Sequence, residues 1–196
     1  FQTQLHEVQA RLVEMAEDTV KIIEKATKAF TDSNVSMADD AIAISDQTGN
    51  KALALDELVI RILAKQSPVA RDLRILVSAL RISASLERMG ALSGHIAAIA
   101  RYRFPGSAVP ASLMSTFKEM GELDVKLAKK CVQLLQNTDV DFAREIQAED
   151  ARVDELHRHI FDVVLADDWK ENAMFTVDVT LASRYHERFA DHVVDI

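Results

Sequence analysis

Leu86-Glu87-Arg88-Met89-Gly90 and His186-Glu187-Arg188-Phe189-Ala190 read as two copies of one segment, with the glutamates 100 positions apart. Solenoid repeats recur at roughly 20–50 residues, so this distance indicates a duplicated unit carrying the same polar feature in each copy. A Glu-Arg pair on a helix that packs into a core is costly unless a partner, a proton or a metal compensates the carboxylate. The duplication is therefore the place to look for function.

The chain has 196 residues, 48% hydrophobic and 28% charged, with only 5 Gly and 3 Pro. Sandwiches and barrels need frequent turns, whereas long helices need few. The composition therefore predicts an all-α protein. A formal net charge of −8 argues against a nucleic-acid partner, because such proteins use basic surfaces to displace counterions. The single Cys131 excludes an intrachain disulfide, suits a reducing compartment and reads as a small core residue. No apolar run reaches the roughly 20 residues that span a bilayer, so no membrane insertion is expected. The start, Phe1-Gln2-Thr3-Gln4, has no signal-peptide pattern, and both ends are expected to be trimmed.

Six helices follow from the breakers. The first runs from Gln4 to Phe30 with apolar residues at Leu5, Val8, Leu12, Met15, Ile22, Ala26 and Ala29, one stripe at helical spacing. Thr31-Asp32-Ser33-Asn34 ends it, and Ser36-Met37-Ala38-Asp39 resembles a capping box opening the second helix, which reaches Lys65. Gln66-Ser67-Pro68 makes a turn, with Pro68 suited to the first turn of a third helix that runs to Tyr102. Residues 104–110 carry linker chemistry. Helices are then expected over Ala111–Leu135, Val140–Leu165 and from Glu171 onward, with Asn137-Thr138-Asp139 as the breaker after the fourth. Met15 aligns with Met120, Asp46 with Asp150 and Glu87 with Glu187. The expected architecture is two tandem three-helix bundles, residues 1–103 and 111–196.

Carboxylates carry the candidate chemistry. Glu187, Asp191 and Asp195 follow one another at i, i+4 and i+8 and share a helical face. The fifth helix adds Glu149, Asp150 and Asp154, with Asp150 and Asp154 four apart, and Glu149 and Asp150 interrupt its stripe of Phe142, Ile146, Val153, Leu156 and Ile160. Facing carboxylates repel unless protonated or bridged, and hard divalent cations or iron accept such oxygen sets. A solvated acidic face with Arg152, Arg158 and Arg188 as partners is the other reading. The first half offers a thinner set, Asp46 and Glu87 with His95, since Asn50 and Ala91 stand where the second half has acids. A di-iron enzyme of the ferritin type needs carboxylate-x-x-His on two helices, and Asp154-x-x-His157 is the only instance. No nucleophile–base pair, phosphate-binding glycine loop or zinc spacing is present, so an enzyme is not expected.

Gln66-Ser67-Pro68-Val69-Ala70-Arg71-Asp72-Leu73-Arg74, with the two Glu-Arg segments and Asp154-Glu155-Leu156-His157-Arg158-His159, resembles the PhoU family of bacterial phosphate-signalling regulators, its actinobacterial branch most of all. The resemblance spans essentially the whole chain. It implies a cytoplasmic, non-enzymatic protein of two three-helix bundles that negatively regulates phosphate uptake and the phosphate-starvation response. The implied partners are a phosphate ABC transporter ATPase and a sensor histidine kinase, and the implied state is a homodimer. Some members hold metal through Glu/Asp-x-x-x-Asp motifs. Those fall here on Asp150 with Asp154 and Glu187 with Asp191, and in the first half on Asp46 with Asn50 and Glu87 with Ala91, where both second positions depart from the pattern.

Overall fold

The computed structural model describes residues 1–137 and 141–196. Its helices are α1 (Gln2–Asp32), α2 (Val35–Gln66), α3 (Ala70–Arg103), α4 (Met114–Gln136), α5 (Ala143–Leu165) and α6 (Ala173–Val194), with one 3-10 turn at Ala111–Leu113. There is no strand among the described residues, and the protein is all-α.

Cap chemistry moves several expected boundaries. The second helix opens on Asn34, whose side chain accepts the Met37 N–H at 3.1 Å, so the Ser36–Asp39 segment lies inside the helix. An Asn at the N-cap satisfies one of the orphan donors of the first turn. Asn172 does the same for α6 through the Phe175 N–H at 2.9 Å, which places the start of that helix after Glu171. Pro68 sits just before α3, whose N-cap is Val69; Ser67 ends α2 in the left-handed region at φ 40°. Asn137 ends α4, while Thr138, Asp139 and Val140 lie outside the described residues.

The stripe read on α1 is the centre of the molecule. Leu12, Met15, Ile22, Ile23, Ala26 and Phe30 are buried and join a single apolar cluster contributed by both halves. Within the first half α1, α2 and α3 pack on one another, and within the second α4, α5 and α6 do the same. The halves meet through α1 against α4 and α3 against α6. Both cross-pairs are antiparallel. The Gln9 side chain donates to the Leu135 carbonyl at 2.8 Å while Phe30 stacks on Phe117 with ring centroids 5.0 Å apart. On the other side His95 meets Tyr185, and Arg103 grips Asp178 with Nε at 2.6 Å and a second guanidinium nitrogen at 3.2 Å. This antiparallel order sends the α2–α3 turn and the α5–α6 turn to opposite ends of the molecule. Residues 104–110 close against the same core: Ala108 and Val109 are buried, and Ser107 Oγ accepts the Val109 N–H.

Gly121 sets how closely α1 and α4 approach, since a Cβ there would lie 2.8 Å from the Thr27 methyl. Gly121→Leu is expected to force the two helices apart at a cost of about 1–3 kcal/mol, read as a lowered midpoint in thermal unfolding.

Candidate metal centre

Helix α5 turns Ile146, Val153, Leu156 and Ile160 into the core, and the residues between them fall at the edge of that buried stripe. Asp150 and Asp154 occupy such edge positions one turn apart. Helix α6 buries Val179, Ala182, His186, Phe189 and Val193 and presents Glu187 and Asp191 toward α5. The two helices pack together. Asp150, Asp154 and Asp191 each place a carboxylate oxygen within 4.8 Å of the other two, and all three are half-buried.

Such a group is unfavourable when fully charged. Asp150 is pushed up to about 6, first by burial and then by the charges of Asp154, Asp191 and Glu187. Burial followed by the Asp191 charge raises Asp154, against the pull of Arg158 and His157. Asp191 rises through burial and through the charge and hydrogen bond of Glu187, opposed by Arg188 and Arg184. Oδ1 of Asp150 is buried and has no hydrogen-bond partner among the described residues. An orphaned carboxylate oxygen facing two further carboxylates is a donor set for a hard cation, and a cation would remove both the repulsion and the unsatisfied atom. The residues fit a divalent or iron-type ion.

The remaining expected ligands are placed differently. Glu187 borders the triad, hydrogen-bonded to Asp191 and paired with Arg184. Glu149 points to α4, where Lys130 binds it. Asp195 is the exposed C-cap of α6. His157 directs Nδ1 to Ser183 Oγ at 2.5 Å and stands edge-on to Phe161, close enough to Asp154 and Asp191 to feel their charges but outside the converging triad. In the first half Asp46, Glu87 and His95 line a cavity of about 360 Å³ with Gly49 and Ala91. Glu87 and Arg88 are exposed there, so the buried Glu-Arg pair anticipated from the repeat holds for neither residue of the first copy. Among the described residues no first-half group brings three such ligands together.

The folded state holds the Asp150 proton more tightly than the unfolded chain. The resulting stabilisation is complete below about pH 4 and disappears as pH rises through about 6. The metal-free protein is therefore expected to lose part of its thermal stability between these limits, and Asp150→Asn should flatten that part of the profile. Divalent metal should reverse the trend, since protons and the cation compete for the same oxygens.

Sequence reasoning missed a second polar feature beside this site. His186 Nδ1 and Asp124 Oδ2 are 2.6 Å apart, 1% and 0% exposed, between α6 and α4. Burial pushes Asp124 up to about 6 against the opposing hydrogen bond and charge of His186. The signal was present: Asp124 falls in register with the buried Phe117, Met120, Leu127 and Cys131 of α4.

A family model for the PhoU domain matches the chain twice, over residues 12–100 and 117–196. The chain belongs to the PhoU family. The two matches coincide with the α1–α3 and α4–α6 halves. A relative named phosphate-specific transport system accessory protein PhoU homolog 2, from Mycobacterium tuberculosis, is 38% identical over all of this chain and 92% of its own length. A PhoU homolog 1 from Mycobacterium leprae is 36% identical over all of this chain and 88% of its own. The crystal structure of PhoU from Pseudomonas aeruginosa superposes with a TM-score of 0.88 at 24% identity, covering 100% of this chain and 94% of that one. The phosphate transport system regulatory protein PhoU from Streptococcus pneumoniae gives 0.85 at 20% identity, covering 100% and 92%. At these identities the structural likeness speaks for the PhoU fold.

Proposed function

We propose that this PhoU-family chain is a non-enzymatic, cytoplasmic negative regulator of phosphate uptake and of the phosphate-starvation response. In this reading it acts as a homodimer that couples a phosphate ABC transporter ATPase to a sensor histidine kinase. The observation that carries the reading is the end-to-end relationship to proteins named as phosphate-transport accessory proteins, with both repeats matched. No helix of the described residues is long and apolar enough to cross a membrane, which accords with a role exerted through membrane partners. The α5–α6 carboxylates would hold a divalent or iron-type cation that ties the two helices together. Supporting this is the unsatisfied Asp150 oxygen beside Asp154 and Asp191.

The same oxygen favours a second reading, a helical metal-storage or metal-dependent phosphate-handling protein. Co-purification from phosphate-replete cells, with elemental analysis of the same sample, separates the two. The regulator reading expects the transporter ATPase or the kinase in the eluate and no turnover of phosphate compounds. Metal-dependent turnover without either partner would overturn it.

A further inference from the structure

The α2–α3 and α5–α6 turn segments, at opposite ends of the molecule, carry opposite charge on the same apolar background. At the α2–α3 end, residues 60–81 contain Arg61, Lys65, Arg71, Arg74 and Arg81 against one acid, Asp72. All five cations are exposed, and none makes an ion pair among the described residues. In a chain of net charge −8 this is a concentrated basic surface. Large apolar side chains stand among the cations, with Val69 74% and Ile60 59% exposed and Leu73, Ile75 and Val77 also at the surface. An apolar groove of about 470 Å³, lined in part by Leu5, Leu12, Ile75, Ile82 and Leu134, opens beside them.

At the α5–α6 end, residues 161–177 contain Asp162, Asp167, Asp168 and Glu171 against one cation, Lys170. These acids are exposed and make no ion pair among the described residues. Leu165 is 78% exposed, the most of any large aliphatic residue at this end, followed by Val177 and Met174. The duplication explains the pairing of shape with opposite charge. Val77 and Val177 are equivalent positions in the two copies, so the ends share a backbone and an apolar pattern, while the charged residues around them have diverged in sign.

We propose that the basic α2–α3 end of one copy of this chain docks on the acidic α5–α6 end of a second copy. Because the antiparallel packing of the halves puts the two ends at opposite poles, a two-fold antiparallel pair sets both contacts at once and closes. Unpaired charges of opposite sign give the contact its register, and the apolar residues between them give it area to bury. An acidic partner protein or an anionic lipid surface would satisfy the basic end alone. Only a second copy also accounts for the complementary end on the same chain. The inference rests on the homodimer part of the proposed function and specifies its interface.

The test is sedimentation velocity of the purified chain, with circular dichroism confirming the fold of each variant. Arg71→Glu with Arg74→Glu, and separately Asp167→Lys with Asp168→Lys, should each weaken self-association by about tenfold or more. Added salt should weaken the wild type. The variant carrying all four substitutions should recover association, because the contact is restored with its signs exchanged. A dimer that ignores both charge reversals would overturn this interface and leave the homodimer standing. A chain that stays monomeric at high micromolar concentration would overturn both. Binding of the monomer to phosphatidylglycerol vesicles, abolished by the arginine changes, would assign the basic end to lipid and also refute the proposal.

Discussion

His186→Leu is expected to destabilise the protein by about 3 kcal/mol at neutral pH. The substitution leaves Asp124, which has no exposure, without its 2.6 Å partner. The other oxygen of that carboxylate is already unpaired among the described residues. Removing one member of a buried pair exposes the full desolvation cost of the other. The repeat supplies the compensating change. By the alignments of Met15 with Met120 and Glu87 with Glu187, Asp124 corresponds to Thr19 and His186 to Leu86, both fully buried in the first half. Thr19 satisfies itself by donating to the Ala16 carbonyl at 2.6 Å. The pair Asp124→Thr with His186→Leu should therefore return to within about 1 kcal/mol of wild type. Chemical denaturation of the two single variants and the double variant measures this coupling. The cost of His186→Leu should also shrink as pH falls toward about 6 and level off below it, because losing His186 raises Asp124 further and the variant takes up the proton before the wild type does.

Asp154→Ala combined with Asp191→Ala should abolish divalent-metal uptake while leaving the metal-free protein as stable as wild type, or about 0.5–1 kcal/mol more stable. Affinity at an all-oxygen site depends on the number and charge of its ligands, and this variant retains only Asp150 of the three that converge. The same removal takes away two of the carboxylates that burial, and then mutual repulsion, raise in the metal-free state, and relieves the repulsion on Asp150. Loss of metal and loss of stability are thus expected to part company. Elemental analysis alongside thermal unfolding in chelator reads both. Uptake by the double variant equal to wild type would return the acidic row to a solvated face.

The helices were legible because their stripes and breakers are strong: the α1 stripe from Val8 to Ala29 is buried as spaced, and Cys131 lies in the core with its thiol pushed up to about 12 by burial. Boundaries were less legible. A capping box and an Asn N-cap compete within three residues at the start of α2, and sequence alone does not rank Asn34 above Ser36. At the site, the i, i+4 spacing placed Asp150 with Asp154 on one face, but which face of α6 meets it depends on the α5–α6 packing. That packing selects Asp191, leaves Asp195 at the exposed C-cap and turns Glu149 to Lys130. The asymmetry between the halves was readable from Asn50 and Ala91. Its burial component was not, because exposure of Asp46 and Glu87 is set by how α2 and α3 close on the Gly90, Ser93 and Gly94 surface. The charge difference between the two ends lay in plain view in the sequence. It acquired meaning only once the antiparallel cross-pairs put those ends at opposite poles.

The most direct test of the proposed regulatory role is transcript abundance of phosphate-starvation genes in phosphate-replete medium, compared between the parent strain and one lacking this chain. Those genes should be switched on in the deletion strain despite ample phosphate, and silenced again by the intact gene supplied in trans. Starvation genes that stay silent in the deletion strain would contradict that role.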